Sequence, residues 1–465
     1  MVKMFRVGFA FFLALICVGS FASVSTVSPA WAVDAWNQVG SDINGEAAND
    51  ASGSSVSFSS DGSRVAIGAP TNSGAGFNAG QVRVYDLTAG AWVQVGSDID
   101  GEAANDYSGS SVSLSSDGSR VAIGATGNDD GGGNAGQVRV YDLTAGAWVQ
   151  EGSDIDGEAA NDSSGSSVSL SSDGSRVAIG APYNDDGGGN AGQVRVYDLT
   201  AGAWVQEGSD IDGEASTDYS GNSVSLSSDG SRVAIGAPGS DDGGSDAGLV
   251  RVYDLTAGAW LQVGSDIDGE AANDYSGNSV SLSSDGSRVA IGAPNAGLVR
   301  VYDLTAGAWL QVGSDIDGEA ANNASGASVS LSSDGSRVAI GAPYNAGAGF
   351  NDGQVRVYDL TAGAWVQVGS DIDGEAVWDE SGWSVSLSSD GSRIVIGAHY
   401  NASAAGQVQV YELSGGGDGG GGGGGTTPEE LAETGGGASC IAFGGALVLA
   451  AGVGAYALRR RGARA

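Results

Sequence analysis

Between Trp36 and Leu413 apolar and polar residues alternate with a period of two in short runs, each cut off by Gly, Ser, Asn or Asp. The clearest run is Gln137 to Leu143, where Val138 and Val140 face one way and Arg139 and Tyr141 the other. Ser111 to Ser115, Arg120 to Ala125 and Trp148 to Ile155 are three more. They predict four strands per unit. Ser116-Asp117-Gly118-Ser119 predicts a tight hairpin between the first two, and Thr144-Ala145-Gly146 another between the third and fourth. Ala122, Gly124 and Ala125 in the second run suit a strand crowded near an axis.

This unit repeats. An Asp-Gly-Ser-Arg tetrad recurs with its Asp at Asp61, Asp117, Asp173, Asp229, Asp285, Asp334 and Asp390, at spacings of 56, 56, 56, 56, 49 and 56 residues. A unit this small cannot bury its own apolar faces, so neighbours must share a core. The register of the ends decides the architecture. The repeats begin with an isolated fourth strand, Trp36 to Ile43, and the last unit stops after its third, Gln407 to Leu413. Pairing the two closes a ring, whereas an open solenoid would need polar capping units. The expectation is an all-β, seven-bladed β-propeller of four-stranded blades over residues 33–413, closed by the N-terminal strand. A Trp begins each outer strand, at Trp36, Trp92, Trp148, Trp204, Trp260, Trp309 and Trp365; seven equivalent copies predict packing between blades. Arg83 and its counterparts, mid-strand among acids, predict ion pairs between blades.

Three motifs carry a family likeness: Ser110-Ser111-Val112-Ser113-Leu114, then Val121-Ala122-Ile123-Gly124-Ala125 with Pro182 completing Gly-Ala-Pro in the next unit, then Gly136-Gln137-Val138-Arg139-Val140-Tyr141. The repeat resembles the FG-GAP family, whose best-known members are the integrin α-chain propellers. Family members that bind calcium do so in a carboxylate-rich loop of the first hairpin. Here that hairpin is only Ser116-Asp117-Gly118-Ser119, so those sites do not carry over.

The flanks predict where the domain works. Lys3 and Arg6 precede an apolar run from Val7 to Val18 and a small-residue site at Ala30-Trp31-Ala32, which predicts a signal peptide over residues 1–32 and secretion. Residues 414–430 are dominated by glycine and predict a flexible tether. Then come Leu431-Ala432-Glu433-Thr434-Gly435, an apolar stretch from Ile441 to Leu458, and Arg459, Arg460, Arg461 and Arg464. Residues 431–465 resemble a sortase sorting signal, with Ala432 where the family pattern has Pro, as in the LAxTG variant of actinobacterial surface proteins. The resemblance implies a cut by sortase between Thr434 and Gly435 and attachment of Thr434 to cell-wall peptidoglycan. Without a cut, the apolar stretch would serve as a transmembrane anchor, the one membrane contact expected. The only lysine is Lys3, so the resemblance also implies that this is no repeating pilus shaft, whose subunits join through a lysine amine.

Charge narrows the function. Outside the two processed ends there are 13 arginines against 56 acids, a formal charge of 13 − 56 = −43. Such a chain is no partner for nucleic acid. Cys17 and Cys440 both lie in the segments expected to be removed, which leaves no disulfide and no thiolate metal site. The loops expected on one face are acidic: Asp98, Asp100, Glu102 and Asp106 recur as Asp154, Asp156, Glu158 and Asp162, then Asp210, Asp212, Glu214 and Asp218, then Asp266, Asp268, Glu270 and Asp274. Calcium is the candidate metal, because clustered carboxylates supply the six to eight oxygens it takes. Asp-Gly turn chemistry with merely solvated acids fits the same residues, and Asn323 replaces the final acid of the sixth loop without other change.

The second acidic loop of each unit varies more, down to a seven-residue deletion around Asn295-Ala296-Gly297, as a recognition surface would. The seventh unit departs most. Trp378 and Trp383 replace small polar residues, His399 replaces the usual Pro, and Tyr400 follows it. Aromatics near carboxylates suit a sugar or peptide site, and equally a closing blade that repacks its seam. With His399 the only histidine and no cysteine retained, triads and His or Cys metal sites are absent, and no enzyme is expected. The function expected is an adhesion or ligand-binding module at the cell surface, taking a glycan or protein through its acidic loop face; a structural surface-layer component without a specific ligand is the alternative, and a carbohydrate-active enzyme with a carboxylate pair is a less favoured one.

Overall fold

The structure, a computed structural model, describes residues 34–414 apart from 321 and 348. The signal peptide, tether and sorting signal expected above lie outside the described residues. Seven antiparallel sheets follow one another along the chain. In the third, Ser167–Leu170, Arg176–Ala181, Gln193–Thr200 and Ala203–Gln206 lie side by side in that order. First strands of all seven blades line the same two cavities, and so surround a common axis.

The hairpins form as the turn chemistry dictates. Asp173 accepts hydrogen bonds from the Ser171 hydroxyl at 2.8 Å, the Ser175 amide at 2.9 Å and the Ser175 hydroxyl at 2.7 Å, while Gly174 supplies the left-handed φ of 67°. Ala201 and Gly202 both take positive φ between the third and fourth strands, a twist that matches the flanking strands.

The fourth run does not form one strand. It breaks into Ala203–Gln206 and a two-residue piece, Ile211–Asp212, which pairs back on Gln193 and Val194. Gly208 causes the break: its φ is 79°, and a Cβ there would lie 2.8 Å from the Trp260 ring of the next blade. The runs Trp148 to Ile155 and Trp36 to Ile43 divide in the same way. Small residues in the second strand also serve a different purpose from crowding at the axis. A Cβ on Gly180 would lie 2.0 Å from the Gly221 carbonyl oxygen, so at this position it is the neighbouring blade that requires glycine.

The core lies between blades. Val138, Val140 and Ile155 of the second blade pack on Val168, Leu170, Val177, Ile179 and Tyr197 of the third. Equivalent clusters occupy every gap, including the closing one, where Ile43, Val408 and Val410 meet Phe58, Val65, Ile67 and Tyr85.

Polar residues lock the same gaps, and they do so cyclically. The Ser111 hydroxyl donates to Gly165 O of the next blade at 2.8 Å, and six equivalents complete a ring. A second ring runs backwards, from each Leu or Phe amide to the preceding blade's serine hydroxyl, as from Leu170 N–H to Ser113 Oγ. In a third, the amides of Ser60, Ser116, Ser172, Ser228, Ser284, Ser333 and Ser389 each donate to the next serine carbonyl, the last back to Ser60. The tetrad arginines make a fourth: Arg176 Nη1 donates to Gly230 O at 2.8 Å while its other nitrogens grip Asp198. Trp204 Nε1 donates to Glu151 O at 2.9 Å in the fifth, which closes through Trp36 on Val368 O. Each such bond is worth about 0.5–1.5 kcal/mol net.

Closure follows the expected register. Ala35–Gln38 pairs antiparallel with Tyr411–Ser414, and Ile43 and Asn44 pair with Val408 and Gln407. The described residues contain no helix long and apolar enough to cross a membrane.

Candidate ligand-binding face

The loops that enter each blade and those between second and third strands emerge on the face opposite the tetrad hairpins, and touch there: Asn184 Nδ2 donates to Asp162 at 3.1 Å. On this face the repeated acids have separate employments. Asp106 is buried and caps the amides of Glu102 and Ala103 at 3.1 and 2.8 Å. Asp162, Asp218 and Asp274 cap Ala159, Ala215 and Ala271 likewise. Asp98, Asp154, Asp210 and Asp266 accept from the glutamine four residues earlier, at 2.6–2.7 Å. Asp100, Asp156 and Asp212 accept from Gln81, Gln137 and Gln193; the fourth blade has Leu249 there, and burial with the nearby Asp266 and Asp242 raises the pKa of Asp268. Glu102, Glu158, Glu214 and Glu270 pair with arginines of the following blade.

The four acids of one loop therefore do not converge on a point. Among the described residues, the carboxylates that do converge come from three loops each: Glu102, Asp130 and Asp154, and again Glu214, Asp242 and Asp266. In the second group the Arg251 guanidinium supplies the positive charge, with Nη2 at 2.8, 3.7 and 3.1 Å from the three. The arginine has two postures. With Gln at the head of the strand, Arg83, Arg139, Arg195 and Arg356 lie over the tyrosine two residues on, 5.6–5.7 Å from its centroid. Where Leu249 or Leu298 replaces that Gln, Arg251 and Arg300 grip Asp266 and Asp315 instead.

The seventh-blade aromatics do come together. Trp383 packs on His399 and His399 on Tyr400, both at 4.2 Å between centroids with the ring planes tilted by 50° and 46°. Phe350 meets Trp378 edge-on at 4.7 Å. His399 is packed in, whereas Trp378, Tyr400 and Trp383 are 55%, 51% and 39% exposed, so seam packing accounts for the histidine and not for the other three. Trp383 stands at the mouth of the axial channel, where other blades place Ser54, Ser110, Ser166, Asn222, Asn278 and Ala327. Trp378 holds a left-handed φ of 70° at a position that is Asn49, Asn105, Asn161, Thr217, Asn273 and Asn322 elsewhere. Asparagine accepts that conformation readily; for an indole it is an outlier, the kind of local cost that gathers at functional sites.

Some members of this cluster carried no signal in the sequence reading. Glu380 stands where other blades have Ala, Ser or Tyr, and its side chain is 10% exposed. Burial raises its pKa, and burial pushes that of His399 down from 6.5 to about 4. Asn49, Trp378, Glu380, Tyr400, Ser403 and Ala404 line an open pocket of about 500 Å³ at the seam. The shortened fifth unit leaves another, of about 490 Å³, bordered by Asp274, Asn295, Asn322 and Tyr344. A variable position flanked by conspicuous tryptophans was the one signal that could have marked Glu380.

Residues 154–197, from the end of the second blade into the third strand of the third, match the model of the FG-GAP repeat family. No curated protein sequence matches the chain. Among solved structures, hydrazine synthase of Kuenenia stuttgartiensis is similar at 14% identity, with a TM-score of 0.52 over 81% of this chain and 99% of that one. The beta-propeller domain of Cps50 (Swd1) from Myceliophteria thermophila is similar at 12% identity, with a TM-score of 0.51 over the same shares. At these identities the likeness is one of fold. Fold and repeat together give an FG-GAP-like β-propeller.

Proposed function

We propose that this protein is a secreted, cell-wall-anchored binding module that attaches to an extracellular glycan or protein through the seventh-blade side of its loop face, without catalysis of its own. The observation that carries the reading is Trp378: a half-exposed indole held on a left-handed backbone where the repeat otherwise has Asn or Thr. Export by the 1–32 segment and sortase transfer of Thr434 to peptidoglycan would set the binding face outward on a short tether. Reverting Trp378→Asn and Trp383→Ser restores residues that other blades carry, so the variant is expected to fold. Probed on glycan and protein arrays, it should lose the ligand that the parent retains; equal binding would remove the localized site. For anchoring, Thr434→Ala should shift the protein from the wall fraction to the membrane fraction.

A further inference from the structure

We infer that the seam pocket binds an organic ammonium group, such as a lysine side chain carries, with Glu380 as its counter-ion and Trp378 and Tyr400 as its aromatic walls. This rests on the reading of the seventh blade as a ligand site and names the chemistry it takes.

Glu380 Oε2 is buried and has no hydrogen-bond partner. Among the described residues the one basic group near it is His399, whose Nε2 lies 3.8 Å away. That imidazole is itself buried, and neutral at physiological pH, so it supplies no countercharge. Arginines elsewhere on the face are engaged by the repeated acids and backbone carbonyls. A buried carboxylate left without a cation is strongly unfavourable, and a ligand that brings one removes the penalty.

The walls select the kind of cation. One carboxylate with the side-chain oxygens of Asn49, Tyr400 and Ser403 falls short of the six to eight oxygens that calcium takes. Indole and phenol faces attract an ammonium and also pack against the alkyl stem that bears it. The acidic loop face raises the local concentration of any cation that approaches. The chain has no lysine after Lys3, so copies of itself offer no side-chain ammonium to compete.

The test is titration calorimetry on the purified full chain with Nα-acetyl-lysine methylamide, and with its norleucine analogue as the uncharged isostere. The lysine compound should bind at least tenfold tighter than the norleucine compound. Glu380→Gln, which keeps shape and removes charge, should abolish that difference while its melting temperature stays level or rises. Equal binding of the two compounds by the parent, or undiminished lysine binding by Glu380→Gln, overturns the inference. If array binding still depends on Trp378 in that event, the ligand site stands and only its ammonium chemistry falls.

Discussion

At Trp378 the backbone carries a local penalty of order 1–3 kcal/mol for a bulky residue with φ of 70°. Trp378→Asn is therefore expected to raise stability, by about 1 kcal/mol in urea denaturation, while it weakens ligand binding. A variant that loses binding and stability together would instead mark the indole as a packing residue. His399 gives a pH signature. Its folded-state pKa of about 4 lies below its ordinary 6.5, so the folded chain binds fewer protons than the unfolded one between these values. Its contribution is full above pH 6.5 and is lost as the pH falls toward 4; the span of 6.5 − 4 corresponds to about 3 kcal/mol. Glu380 acts in the opposite sense, since protonation relieves its buried charge as the pH drops. From pH 7 to 4 the urea midpoint of the parent should fall more steeply than that of His399→Pro, and parallel profiles would refute the assignment. Trp378, Trp383 and His399 were legible because they break a repeat, whereas Tyr400 stands where Tyr183 and Tyr344 do and was picked out only by its place beside His399. Glu380 was not, since a lone Glu in an acidic chain carries no mark until burial is known.

Strand pairing and turn type could be read from alternation and from Asp-Gly-Ser-Arg, because both are local. The break at Gly208 and the ring bonds of the serines could not, since each depends on the neighbouring blade: on Trp260 in one case and on Gly165 and Leu170 in the others. Ser169→Ala leaves the Leu226 amide without its acceptor, at a cost of about 1–3 kcal/mol, checked by denaturant titration. At each tetrad Asp burial raises the pKa, yet hydrogen bonds from the two flanking serines outweigh it and hold the carboxyl below its usual 3.8. A depressed carboxyl stabilises above its unfolded value and loses that contribution as the pH falls through the folded one. Because the tetrads share this feature, their contribution to acid unfolding should be steep and fall below pH 3.8, after the loss that His399 brings at higher pH; tryptophan fluorescence against pH checks it. The repeated loop acids cap amides, accept from glutamines or pair with arginines, with Arg251 at the centre of one convergent group. Exchange of chelator for millimolar calcium is accordingly expected to leave the melting temperature unchanged.

Over the whole molecule, ring closure was legible because the first and last units each lack what the other supplies. That neighbouring blades share a core was legible from the size of the repeat; that the same gaps hold five hydrogen-bonded rings emerges only once the ring is built. Removal of residues 34–50 should abolish the cooperative thermal transition and expose Gln407–Ser414 as an edge, with aggregation visible by size exclusion; a synthetic 34–50 peptide should restore both. That last strand is an interior one, flanked by Arg393–Ala398 on one side and by the N-terminal pieces on the other. It runs from the loop face at Gln407 to Ser414. A pull on Ser414 against the loop face would run along this strand and load both its ladders in shear, every rung at once. The N-terminal pieces are thereby a mechanical clasp on the strand that bears such a pull.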